Sequence, residues 1–566
     1  MSRPTLIARA LAAPRLRFRQ ARTDLSGGLS GLKPAGDLQP FYEADIAPEG
    51  DKAAGALMRE GKWERFGQVF APPPETPFWT APLPSQRFAE WLHGFSWLPD
   101  LASADGQARA AELVDGWVAE YGRYHNVAWK PDLVAERLFH WLSLWTPVLA
   151  GSETCRRSAH RQAAFLRRNL RRVTPGLARL RAGAALALFG ARLPADTGAA
   201  WREKGLDTLA EEVAVQILPD GGHITRSPET LLHALRTLHA VDALMETRGL
   251  ATPTATRRAI DRAGPAVGVF RHADGALAGF HGGGAVTVPD DGGRPFVFAP
   301  QSRFHRLQRG STVVLMDVGG APDFPYDGNA HLSPLAFEMS VAAGRLVVNC
   351  GWSAEQPLSW REVVRATAAH TTLTLRDASA GELAEGGALE GLAGGAPVLR
   401  DASPLKAARR ESELGVLVEA EHAGYRKATD LFHQRRLFLG ETGADLRGED
   451  ALDLPMGQEA VIRDPVPFTI RFHLHPDVKA VPGRDGRHVR LILPDDEWVF
   501  LVSRDDALSV GLEPSAYLGE GTKPVQTKQI ALHGHAVPGT RRTVRWALRS
   551  RASLEAGRTS GQSASS

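Results

Sequence analysis

Apolar side chains recur at i, i+3, i+4 and i+7 through "SQRFAEWLHGFSWLPDLA", "GQARAAELVDGWVAEYGRY" and "KPDLVAERLFHWLSLWTPVLA", which predicts a series of amphipathic helices. The spacing continues in "AHRQAAFLRRNLRRV", "LARLRAGAALALFGARLP" and "AWREKGLDTLAEEVAVQIL", with breaks such as "PADTG" and "PDGG" between them. Nothing in this half alternates with a period of two. From position 296 onward the texture changes. "RFHRLQRGSTVVLMDVGG", "LAFEMSVAAGRLVVNCG", "LFHQRRLFLGETGADLRGED" and "HVRLILPDDEWVFLVS" are short, β-branched, often alternating, and separated by turn residues. The stretch "GGGAVTVPDDGGRP" between the two textures reads as a linker. The expected architecture is a multidomain α+β chain. A loosely structured segment at 1–83 precedes a helical domain at 84–290, a large antiparallel β-sandwich at 291–550 and a disordered tail at 551–566.

Composition narrows the function classes. A chain of 566 residues can bury a large core without cross-links, and its two cysteines, Cys155 and Cys350, exclude a disulfide framework or a cysteine-rich zinc site. A net charge of +3, with no basic stripe carrying interleaved aromatics, argues against a nucleic-acid partner. No apolar run reaches the length of a transmembrane helix. The start, "MSRPTLIARALAAPRLRFRQARTD", is arginine-rich and its apolar run is broken by Arg9, so no export signal is legible. Nine of the thirteen tryptophans fall between Trp63 and Trp201. Indole faces can stack on pyranose rings, but filling helix interfaces is the favoured role, so none is assigned as a ligand.

Two stretches concentrate candidate chemistry. The loop "DGGHITRSPET" at 220–230 sets His223 and Arg226 between two helices. It reads either as a substrate loop or as a capping turn in which Ser227-Pro228 starts the next helix. The run from Tyr326 to Leu375 brings Asn329, His331, Arg365 and His370 into one set of strands and loops. His331 precedes a strand and His370 opens one, so both can project from one sheet edge. Imidazoles there suit proton transfer near neutral pH. They could instead hold zinc, with Asn349 as the nearby third ligand, but a neutral amide is a poor zinc ligand. No metal or other cofactor is therefore expected. The alternative for each histidine is a hydrogen-bonded loop residue.

The run "GNAHLSPLAFE…GRLVVNCG…RATAAHTTL" resembles the C-terminal domain of the heparinase II/III-like polysaccharide lyases. Later pieces, "EHAGY", "HQRRLFLGETGADLRGED" and "RFHLHP", fit as well, and "QILPDGGHITRSPE" resembles the turn of that family's incomplete α/α toroid. The likeness spans positions 85–550. It implies an incomplete α/α toroid followed by a β-sandwich, acting by elimination on a uronate-containing acidic polysaccharide, in the periplasm or cell envelope; a cytoplasmic site is the alternative. That chemistry needs neutralisation of the charge developing beside the sugar carboxylate, a base for the C5 proton and an acid for the leaving oxygen. It needs no redox cofactor.

Carried over position by position, the resemblance implies His331 as a catalytic histidine and His370 as a histidine lining the site. Tyr425 of "EHAGYRK" stands in a motif beside the cleft, as a proton donor, and Arg365 is a cleft arginine for an acidic sugar. Asn329, Ser333 and Asn349 stand where members carry His, Asp and Asp. The Tyr-His pair that follows the Ser-Pro turn is replaced by Thr230-Leu231, and an Asn-His pair earlier in the helices is replaced by Pro175 and Gly176. His223 is then the candidate base and Arg226 the candidate carboxylate partner. Three readings follow: a lyase, a non-catalytic glycan-binding or envelope-assembly protein of the same fold, and a glycoside hydrolase using carboxylates among Asp220, Glu229 and Glu338.

Overall fold

The computed structural model describes residues 41–555, apart from positions 45, 343, 403 and 463 and the stretches 47–49, 290–294, 385–389, 455–459 and 505–507. The tail expected to be disordered lies outside the described residues beyond 555, and residues 551–555 are helical. The chain divides into two compact units. One comprises residues up to Gly221 together with Thr230–Gly264, and the other comprises Gly222–Glu229, Pro265–Gly387 and the chain from Ala393.

The first unit is helical. Part of the segment expected to be loose is ordered: Asp51 caps the helix Lys52–Arg59 by accepting from the amides of Ala53 and Ala54 (2.8 and 3.1 Å). A hairpin pairs Trp63–Arg65 with Gln68–Phe70, turning through Phe66 and Gly67 at positive φ and burying Trp63. The helices Gln86–Gly94, Gln107–Tyr121, Pro131–Ser143 and Glu153–Asn169 follow the predicted periodicity. Tryptophans 97, 117, 129 and 141 are fully buried among them. Arg137 is buried as well, with its guanidinium 4.1 Å from the Trp117 ring centre and hydrogen-bonded to Gln162 and the carbonyls of His93 and Ala128. The helices Leu177–Arg192 and Ala195–Gln216 approach backbone to backbone. A Cβ at Gly183, Gly190, Gly198 or Gly205 would run into the opposite helix.

The second unit is built on two large antiparallel sheets. One has nine strands and includes Phe304–Arg309, Thr312–Asp317, Phe337–Val341, Gly344–Val348, Val466–Leu474 and Val525–Ala536. The other has eight and includes Gly415–His422, Phe432–Gly440, Asp445–Asp453, Glu497–Val502 and Arg542–Ser550. Phe432–Gly440 alternates strictly between buried and half-buried positions, as a strand with one face in a core must. Both sheets bury their inner faces in one apolar core. At its centre Phe337 and Phe472 of the first sheet meet Trp546 of the second at 5.6 and 4.7 Å. The boundary lies earlier than the linker reading places it. After its loop Gly222–Glu229 the second unit resumes at Pro265, inside the helix Thr254–Val269, and takes in the glycine-rich residues 282–284.

Candidate functional site

The loop Gly222–Glu229 belongs to the sheet unit, although helices of the first unit flank it in sequence. It turns at Arg226, whose φ of +59° is left-handed and whose amide donates to the His223 carbonyl (2.8 Å). This conformation sends the Arg226 side chain into the sheet unit, where it is buried. Its Nε donates to the Ser302 carbonyl (2.8 Å), Nη1 donates to the Gly320 carbonyl (2.5 Å), and Nη2 forms an ion pair with Asp317. The guanidinium lies 4.6 Å from the centre of the Phe304 ring. Asp317 ends the strand Thr312–Asp317 and also accepts from the amide of Gly319 (2.8 Å). Burial pushes the Asp317 carboxyl up, but the Arg226 charge and the contacts of His281 outweigh it and hold it below the ordinary carboxylate range.

From Asp317 a chain of imidazoles runs inward. His281 Nε2 sits 3.0 Å from Asp317 Oδ2, while its Nδ1 accepts from the amide of His331 (3.2 Å). His331 Nε2 accepts from the amide of Gly282 (2.9 Å), and its Nδ1 faces His370 Nε2 at 2.8 Å. His370 closes the chain through Nδ1, 2.9 Å from the Ala366 carbonyl. The Ala366 carbonyl places Nδ1–H on His370 and the His331 amide leaves Nε2–H on His281, while His331 meets a backbone amide at each ring nitrogen, that of His281 at Nδ1 (3.1 Å) and that of Gly282 at Nε2. All three rings are buried. Loss of water holds all three below the ordinary histidine range, His370 at about 4; neighbouring His370, His281 and Arg365 add to the effect at His331, and Arg226 adds to it at His281. They are neutral at neutral pH.

The structure brings His331, His370 and Arg226 into this one network, and it adds His281 and Asp317, which are not among the residues expected from the sequence. His281 stands in "FHGGG", inside the stretch leading into the supposed linker. Asp317 was one letter of an apolar strand, and its signal was a lone charge at the strand's last position before Gly319-Gly320.

The remaining candidates have other surroundings. His223 is buried and turns back into its own loop. Its Nδ1 accepts from the amide of Thr225 (3.2 Å) and lies 2.8 Å from the Thr225 hydroxyl, and burial lowers its pKa to about 3. Tyr425 sits in the core between the sheets, where its hydroxyl donates to the Leu373 carbonyl (2.9 Å) and burial pushes it above its ordinary range. Arg365 is buried and holds the backbone carbonyls of Asp327, Ala330 and Ala396 (3.1, 2.8 and 2.7 Å), bracing the loop that carries His331. Asn329 is exposed, accepts from Arg361 Nε (3.1 Å), and rests against Gly282, where a Cβ would collide with it.

Of the three residues considered for zinc, His331 and His370 meet, but Asn349 does not join them. Asn349 turns its oxygen to the amide of Thr371 (3.0 Å) and its nitrogen to Glu338 (3.0 Å). Among the described residues no group of three or more His, Cys, Asp or Glu side chains is arranged to hold a metal. Glu338, one of the carboxylates considered for hydrolysis, is buried and spent on His272, Asn349 and the Gly279 amide. Glu229 accepts from the amide of Gly284 (2.8 Å). Where the resemblance calls for an Asn-His pair, Gly176 at φ +102° starts the helix Leu177–Arg192 and its carbonyl accepts from Gln216 (3.0 Å). The cavity lined by His281, Asp317, His331 and Asp401 measures about 10 Å³, room for one water at most. As it stands, the cluster can relay polarity between Asp317 and Ala366, but no imidazole nitrogen is open to a substrate.

A family model described as "Heparinase II/III-like, C-terminal" matches residues 291–549. A curated relative, FtsZ-localized protein C of Caulobacter vibrioides (strain NA1000 / CB15N), is 35% identical over 512 residues, covering 88% of this chain and 86% of its own. Among solved structures, heparinase III is similar with a TM-score of 0.64 at 16% identity, over 95% of this chain and 88% of that one. The heparan sulfate lyase HepC of Pedobacter heparinus is similar with a TM-score of 0.56 at 14% identity, over 94% and 87%. At such identities the structural likeness speaks for the fold.

Proposed function

The chain belongs to the heparinase II/III-like family, and on that premise we propose that it uses the family's fold to bind rather than to cleave, as a protein that localises to FtsZ. One observation carries this reading: both ring nitrogens of His281, His331 and His370 already meet protein partners. Abstracting the weakly acidic C5 proton of a uronate requires a free lone pair with a pKa near the working pH. It also requires donors aimed at the charge that develops. Here the imidazoles are held low, the Arg226 guanidinium is committed to Asp317 and two carbonyls, and the Tyr425 hydroxyl is committed to the core. The replacement of the Tyr-His and Asn-His pairs points the same way. The relative at 35% identity, whose name records localisation to FtsZ, shares far more sequence with this chain than the lyase structures do.

The second reading is a lyase acting on an acidic polysaccharide in the cell envelope. It would use His331, His223 and Tyr425 for proton transfer, with Arg226, Asn329, Arg365 and His370 binding substrate. Family membership and the exposed Asn329 amide beside Gly282 favour it. Two measurements separate the readings. A fluorescent fusion should follow FtsZ and disperse when FtsZ is depleted. Purified protein should generate no ultraviolet-absorbing unsaturated uronate from heparan sulfate, alginate or other uronate polymers. Unsaturated product that disappears in His331→Ala would sink the binding reading and establish the lyase.

A further inference from the structure

The outer face of the eight-stranded sheet carries a groove that the histidine cluster does not explain. One register row crosses five strands as Leu417, Phe438, Arg447, Ala547 and Leu501. Together with Val502 and the backbone of Gly448 over Trp546, this row lines a cavity of about 470 Å³, and the lining is mostly apolar. That volume is within the usual range for ligand-binding clefts, roughly 300–1,000 Å³. A solvent-facing row of strand residues is ordinarily polar, so an apolar one asks for a partner.

The rim fixes the sign of that partner. Arg436, Arg447, Arg545 and Arg549 line the groove against one carboxylate, Glu449. Two carboxylates are each shared by two of these arginines. Glu449 is 3.3 Å from Arg436 and 2.9 Å from Arg545, and Asp445 is 2.6 Å from Arg447 and 3.0 Å from Arg549. Glu419 is shared in the same way by Arg410 and Arg436 (3.2 and 2.8 Å). Five arginines against three carboxylates leave positive charge in excess along the groove. The Arg447 and Arg545 side chains are 58% and 71% exposed, so their remaining donors face solvent. An arginine fork with open donors takes a carboxylate bidentately.

The floor discriminates between acidic ligands. A sugar ring needs a bare aromatic face, and the one solvent-facing ring here, Phe438, has the Arg447 guanidinium 5.7 Å from its centre. Besides Arg447, the rest of the row, Leu417, Ala547 and Leu501, is aliphatic. We propose that this groove docks an acidic peptide segment of a partner protein, with a Leu- or Phe-type side chain on the Leu417–Leu501 row and flanking carboxylates on Arg447 and Arg545. The proposal is independent of whether the histidine cluster catalyses.

Fluorescence anisotropy of the full chain with three labelled peptides tests it. One alternates Asp and Glu around a central Leu-Phe, the second replaces the acids by Asn and Gln, and the third replaces Leu-Phe by Ser-Ser. The acidic apolar peptide should bind at least ten-fold more tightly than either control. It should weaken at least ten-fold in Arg447→Glu/Arg545→Glu and in Phe438→Ser, with circular dichroism unchanged. If circular dichroism changes in either variant, Arg545→Gln, at the more exposed rim arginine, takes its place with a weakening of at least three-fold expected. Absence of binding, equal binding of the neutral peptide, or binding untouched by the variants would overturn the proposal. So would a heparan sulfate oligosaccharide that binds and is lost in the same variants while the peptides do not bind, because that outcome gives the face to a glycan.

Discussion

Replacing Arg226 by Met tests whether the centre of the cluster is structural. The substitution keeps an unbranched apolar side chain over Phe304 and deletes the charge. It leaves Asp317 buried, with the His281 ring and the Gly319 amide as its hydrogen-bond partners. Removing one member of a buried, hydrogen-bonded pair costs about 3–5 kcal/mol, because the surviving charge has lost both water and counter-charge. The lost contact with Phe304 adds about 0.5–2 kcal/mol. The carbonyls of Ser302 and Gly320 also lose their donors. Equilibrium urea unfolding followed by tryptophan fluorescence would read the total. Hydrogen exchange at residues 280–284 and 317–320 would localise it. The double variant Arg226→Met/Asp317→Asn removes the orphaned charge, so its destabilisation should fall short of the sum of the single variants by about 1–3 kcal/mol. A single-variant loss below about 1 kcal/mol, or strict additivity, would refute the claim that this pair is a buried ion pair holding the site together.

Acid should act through the same residues. His370 and His223 are held at about 4 and about 3 in the folded state, against about 6.5 when unfolded. Stability is therefore full above about pH 6.5 and falls, for each such histidine, by about 1.4 kcal/mol per pH unit until the folded value is reached. The depressed Asp317 carboxyl withdraws its own contribution at still lower pH, as pH falls through its folded value. Urea midpoints that stay flat from neutral pH down to pH 5 would contradict this. Gly319→Ala places a methyl where the Arg226 guanidinium lies, and should cost about 1–3 kcal/mol and speed exchange of the Gly319 amide; an unchanged Tm and exchange rate would show that Arg226 can move aside. Tyr425→Phe removes a buried hydrogen bond to Leu373 and should cost about 1–3 kcal/mol, measured by the same unfolding; a lost activity with unaltered stability would restore Tyr425 as a proton donor.

Much of the second unit was legible in the chain. Alternation in Phe432–Gly440 anticipated a strand with one face in a core, and the positions of His331 before a strand and His370 at the start of one suggested a shared sheet edge. In the folded chain the two rings lie 2.8 Å apart, Nδ1 to Nε2. Polar residues were harder to interpret, because sequence reports their type and not their partners. Tyr425 looked free to donate a proton but lies between two sheets. Arg365 looked like a receptor for an acidic sugar and instead braces three carbonyls. His281 stood in a stretch whose glycines suggested a linker, yet those glycines let the backbone amides of His281 and Gly282 approach His331.

The loop at 220–230 divides the two kinds of information cleanly. Periodicity and turn residues were enough to place "DGGHITRSPET" between two helices, because helix spacing and Ser-Pro initiation are local properties. Which unit the loop joins, and that Arg226 swings through a left-handed turn to meet Asp317 ninety-one positions later, was decided only in the folded chain. Hydrophobic patterning is written residue by residue, whereas the fate of a charge depends on which distant carboxylate and carbonyls surround it once water has been excluded.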